Sequence, residues 1–69
     1  MEKLRISLKA ARVNAGYSQR KAAKLLKICV SSLQNYEAGK VAPSWDVVKR
    51  IEDLYGIPAD NIFFDSKYA

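Results

Sequence analysis

Residues 16–40 read GYSQRKAAKLLKICVSSLQNYEAGK, and this stretch decides the fold. Ser18 suits a helix N-cap, because its hydroxyl can accept a backbone N–H of the first turn. From there Ala22, Ala23, Leu25 and Leu26 supply a buried side, and the helix is expected to end near Lys27. A second helix is predicted over about Val30 to Ala38, with Leu33 and Tyr36 turned inward and Gly39 as its stop. Two helices joined by so short a turn form a compact hairpin, and Ala23 is small where they must approach each other. Ala22, Leu26, Ile28, Leu33 and Tyr36 fall at inward positions. The outward faces are polar: Gln19, Arg20, Lys21 and Lys24 on the first helix, and Val30, Ser31, Ser32, Gln34 and Asn35 on the second.

The same periodicity extends in both directions. Upstream, Leu4, Leu8, Ala11 and Ala15 share one face of a helix over about Leu4–Ala15, which Gly16 stops, with Lys3 and Lys9 outward. Downstream, Lys40–Pro43 reads as a loop and Ser44 as the cap of a fourth helix ending near Tyr55. Its apolar stripe is wide: Trp45, Val47, Val48, Ile51, Leu54 and Tyr55, closed by Gly56. A last short helix is expected from Pro58, burying Ile62 and Phe63, and residues 65–69 read as a frayed tail. No segment sustains period-two alternation. The expectation is therefore an all-α fold of five short helices, one domain over residues 1–69 with its core at about 4–63.

Composition narrows the chemistry. The chain has 69 residues, 49% apolar and 28% charged, a soluble balance with no apolar run long enough to span a bilayer and no secretory leader. It reads as cytoplasmic. Cys29 stands alone and histidine is absent, which excludes an internal disulfide, a Cys/His metal cluster and a Cys/His catalytic dyad. With no carboxylate pair in a predicted cleft and no glycine-rich phosphate loop, the expectation is no enzyme, no cofactor and no metal. No small-molecule ligand is expected either.

Charge points to a partner. Residues 1–40 hold nine Lys or Arg against two acids, whereas residues 41–69 hold three against five. A one-sided basic surface fits phosphate backbones, and it also fits a face that merely keeps the protein soluble. The second outward face carries no acid, which would repel phosphate, and its short neutral side chains allow close approach to base edges.

In Gly16-Tyr17-Ser18-Gln19, Ala22-Ala23, Tyr36-Glu37-Ala38-Gly39-Lys40, Pro43-Ser44, Tyr55-Gly56-Ile57 and Ile62-Phe63, the chain resembles the Xre or Cro and phage-repressor type of helix-turn-helix regulator over about Leu4–Phe63. That resemblance implies a lambda-repressor-like DNA-binding domain, with the helix-turn-helix at helices two and three. It implies that Val30, Ser31, Ser32, Gln34 and Asn35 face bases. Ser18, Gln19, Arg20, Lys21, Lys24 and Lys40 would meet phosphates, and Arg12 and Glu37 would form a structural ion pair. The implied function is a sequence-specific regulator of transcription, a repressor on a palindromic operator, binding double-stranded DNA as a homodimer. The competing reading is an antitoxin-like module that binds a protein partner and DNA only secondarily.

Four positions depart from the family pattern. Lys27 stands where a turn glycine is usual, and Cys29 replaces a Ser or Thr cap, so the recognition helix is expected to start late, with Ser31 or Ser32 helping to cap it. Glu52 replaces a small apolar residue, and Pro58 a capping serine. The stripe on helix four, with Ile6 and Phe64, reads either as a generous core or as a homodimer contact.

Overall fold

The structure, a computed structural model, describes residues 5–63. Leu4, Lys3, Phe64 and the 65–69 tail lie outside the described residues. The element order is β1 (Ile6–Ser7), α1 (Leu8–Asn14), α2 (Gln19–Leu26), α3 (Val30–Glu37), α4 (Trp45–Tyr55), a 3-10 turn (Ala59–Asn61) and β2 (Ile62–Phe63).

Local chemistry explains most boundaries. The hydroxyls of Ser7, Ser18 and Ser44 accept the N–H of Ala10 (3.0 Å), Lys21 (3.1 Å) and Val47 (3.4 Å), so α1, α2 and α4 each begin behind a serine cap. Gly16, Gly39 and Gly56 take positive φ just past α1, α3 and α4. Gly16 has φ 87 with open space around it, so conformation rather than crowding accounts for a glycine there.

Two corrections concern the ends of the fold. In place of a fifth helix from Pro58 there is a three-residue 3-10 turn, so the α-helices number four among the described residues. The fold is also not purely helical: β1 and β2 pair in parallel, Ile6 opposite Ile62 and Ser7 opposite Phe63. Strands of two residues cannot display alternation, which hid them from a periodicity argument. The pairing also moves the start of the first helix from Leu4 to Leu8, because Ile6 and Ser7 are taken into β1 and Ser7 serves as the cap.

The core joins the four helices and β2, with Ile6 of β1 partly buried against it. Leu8 and Ala11 of α1, Ala22, Ala23 and Leu26 of α2, Leu33 of α3, Val47, Ile51 and Tyr55 of α4, and Ile62 of β2 form one buried cluster. Ala22 and Ala23 let α2 pack closely against α3 and α4. Of the other residues expected inward, Ala15, Ile28, Tyr36 and Leu54 are partly buried against this cluster and Val48 is half-buried, whereas Leu25 is 43% exposed and Trp45 68% exposed. Each of these last two sits at the edge of its helix's apolar arc, where counting spacings alone widens the stripe. Trp45 instead carries the Lys49 ammonium 5.9 Å from its ring centre, a cation–π pairing one helical turn apart.

The departures at Glu52 and Pro58 answer each other. Proline brings no hydroxyl to cap the last turn, and the Glu52 carboxylate accepts the Ala59 N–H at 2.6 Å instead. An acid on α4 thus replaces the missing serine.

Candidate nucleic-acid interface

The α2–α3 hairpin has a sequence-determined hinge. Lys27 adopts φ 62 and ψ 42, the left-handed conformation, so the turn keeps its geometry with a lysine where glycine would be unstrained. Cys29 is the N-cap residue of α3 in extended conformation, yet its thiol makes no capping bond. The late start expected for the recognition helix is corrected: α3 begins at Val30, with Ser31 and Ser32 inside it. Thiols are weak acceptors, but backbone geometry and the burial of Leu33 suffice to start the helix.

On α3, Ser31, Gln34 and Asn35 are exposed and Ser32 is half-buried. Val30, counted on the outward face from the sequence, is half-buried and packs against the core. Arg20, Lys21 and Lys24 of α2 and Lys40, just past α3, are all exposed. Ser18 is exposed with its oxygen engaged in capping, and Gln19 is half-buried.

The acid closest in sequence to this face is held in the interior. Arg12 Nε donates to Glu37 Oε2 at 2.8 Å, Arg12 Nη2 to Oε1 at 3.3 Å, and Gln19 Nε2 to the same Oε1 at 3.0 Å. Arg12 Nη1 also donates to the Tyr17 carbonyl at 2.9 Å. Both side chains of the ion pair are at least nine-tenths buried. The carboxylate at the end of α3 is therefore neutralised by α1 and α2 before it can repel a phosphate. The same network reaches the polar face, because Gln34 Nε2 lies 3.5 Å from Gln19 Oε1.

Sequence reasoning missed two contributors. The link from Gln19 to Glu37 was not foreseen, although a polar residue opening α2 beside an acid ending α3 was a usable signal. Arg50 of α4, whose Nη1 donates to the Leu26 carbonyl at 3.2 Å, left no signal in local spacing. Behind the network Tyr17 stacks on Tyr55, ring centres 6.2 Å apart and 29° between planes. The Tyr55 hydroxyl is buried without a hydrogen-bond partner among the described residues. Burial first, and then the Glu37 charge, push its pKa up to about 12 against the opposing pull of Arg12.

A supporting helix, a left-handed turn and a second helix that exposes neutral polar side chains constitute a helix-turn-helix domain. The chain belongs to that family: the family model described as a helix-turn-helix domain matches residues 3–62. It is similar to the HTH-type transcriptional regulator ImmR of Bacillus subtilis (strain 168), 40% identical over 53 residues, which covers 77% of this chain and 42% of the relative. The matched stretch of the chain spans less than half the length of that relative. No solved structure matches it. No helix among the described residues is long and apolar enough to cross a membrane.

Proposed function

We propose that this protein binds a specific double-stranded DNA operator through α3 and represses transcription by occupying it. The observation that carries the reading is the pairing of a neutral exposed face on α3 with the internal neutralisation of Glu37. Phosphate meets cations at the rim, while no free carboxylate stands on the face that approaches the bases.

In this reading Ser31, Gln34 and Asn35 lie at the base edges, with Ser32 beside them and Val30 offering what remains of its methyl surface to a thymine. Asn35 can bond adenine through N6 and N7. Gln19 gives one amide hydrogen to Glu37 and keeps the other for a phosphate, while Ser18, Arg20, Lys21, Lys24 and Lys40 position the backbone. Two copies related by a two-fold axis would occupy half-sites about one helical turn apart, which makes the operator a palindrome.

Selection of bound sequences from random duplex DNA tests this. A recovered palindrome is expected, with affinity that falls steeply as salt rises. Asn35→Ala should cost about 1 to 3 kcal/mol on that duplex and relax preference at one base pair per half-site. Retention of no preferred sequence, or affinity indifferent to salt, defeats the proposal.

A further inference from the structure

The first three helices end alike. Past α1, Gly16 N–H donates to the Val13 carbonyl (2.9 Å) and Tyr17 N–H to Arg12 (3.2 Å). Past α3, Gly39 N–H donates to Tyr36 (3.2 Å) and Lys40 N–H to Asn35 (3.0 Å). Past α2, Lys27 N–H donates to Lys24 (3.1 Å) and Ile28 N–H to Ala23 (3.0 Å). This paired closure, the Schellman motif, requires a left-handed residue at its apex. Glycine fills that place in α1 and α3 and lysine in α2, where a Cβ makes the same conformation costly.

The strained closure is also the one that aims the recognition helix. Its two bonds use the carbonyls of Ala23 and Lys24 and leave that of Leu26 open. Arg50 Nη1 occupies this carbonyl at 3.2 Å, reaching across from α4. A guanidinium at a helix C-terminus gains both a charge-assisted hydrogen bond and a favourable interaction with the helix dipole.

We propose that Arg50 is a positioning residue for DNA recognition: anchored on α4, it holds the lysine-bearing turn closed and so sets the course of α3, without itself touching DNA. The inference rests on the DNA-binding reading above. In this chain a tertiary contact supplies the turn rigidity that a glycine apex would supply locally.

The test compares the wild-type chain with Arg50→Ala on the selected duplex and on random duplex, across a salt series. Affinity for the selected duplex should fall about tenfold, with a much smaller loss on random duplex, because a misaimed helix loses base contacts before phosphate contacts. The slope of log affinity against log salt should stay unchanged, although a positive charge has been removed. Amide hydrogen exchange at Lys27 and Ile28 should accelerate, and Arg50→Lys should restore most of the specific affinity. In a Lys27→Gly background the effect of Arg50→Ala should shrink, since a glycine apex closes the turn unaided.

A slope reduced by about one marks Arg50 as a phosphate contact and overturns the proposal. Equal losses on both duplexes, or unaltered exchange at Lys27 and Ile28, overturn it as well. Should Arg50→Ala fail to fold, the Lys27→Gly/Arg50→Ala chain is expected to fold; if it also fails, the turn is not what Arg50 supports and the proposal falls. A wild type that shows no preference for any duplex defeats the DNA-recognition reading itself, and is thereby told apart from a failure confined to Arg50.

Discussion

The bracing helix α2 and the recognition helix α3 are both eight residues long, yet they are secured in opposite ways. α2 starts behind a serine cap and buries Ala22, Ala23 and Leu26. α3 starts behind an uncapped cysteine and fully buries Leu33 alone. What α3 lacks in apolar contact it recovers at its far end, where Glu37 is gripped by Arg12 and Gln19. Along its length α3 adds only the partial burial of Val30 and Tyr36 against the core, and Ser31, Gln34 and Asn35 stay exposed. Its fully buried anchor is Leu33 in the middle, and the second strong hold, at the end, is polar.

The sharpest way to break that contrast is to remove the middle anchor. Leu33→Ala should destabilise the protein by about 3 to 4 kcal/mol in urea unfolding, since the surrounding core can only partly collapse on the void. A loss below about 1 kcal/mol would mean that α3 is secured elsewhere. Next comes the polar end. Arg12→Ala leaves Glu37 buried without its counter-charge and should cost about 3 kcal/mol, whereas replacing both partners by apolar residues of similar size should come close to neutral. Equal costs for the single and double replacements would contradict the account of the pair.

Smaller effects sharpen the comparison at the helix starts. Cys29→Ser gives α3 the cap that α2 already has and should stabilise by about 1 kcal/mol, read from the urea midpoint at constant slope. Tyr55→Phe removes a buried hydroxyl that lacks a partner and should change stability by no more than about 0.5 kcal/mol near neutral pH. Its signature lies at high pH. Burial raises the Tyr55 pKa to about 12 in the folded protein, whereas the unfolded chain releases the proton near the ordinary tyrosine value of 10.0. The unfolded state therefore binds fewer protons over that interval, and stability falls as pH rises through it. Tyr55→Phe should remove that part of the alkaline loss.

Punctuation was legible in the sequence because it is local. Ser18, Ser44, Gly16, Gly39 and Gly56 act on the turn beside them, and each does in the fold what its chemistry predicts. The exposure of Ser31, Gln34 and Asn35 was legible for the same reason, since it follows from helical spacing once Leu33 is placed inside, whereas Val30, counted outward by the same spacing, packs against the core. Contacts between distant segments were not legible. Arg50 on the Leu26 carbonyl, Glu52 on the Ala59 N–H and Ile6 beside Ile62 join residues with no periodic relation. Trp45 and Leu25 erred in the other direction, because an apolar residue at the margin of a stripe satisfies the spacing without reaching the core.

The most direct measurement is an NMR titration of the labelled protein with its selected duplex. The account predicts that the largest amide shifts centre on Ser31, Gln34 and Asn35, flanked by Arg20, Lys21, Lys24 and Lys40. Shifts centred instead on the outer side of α4, around Trp45 and Asp53, with α3 unperturbed, would contradict it.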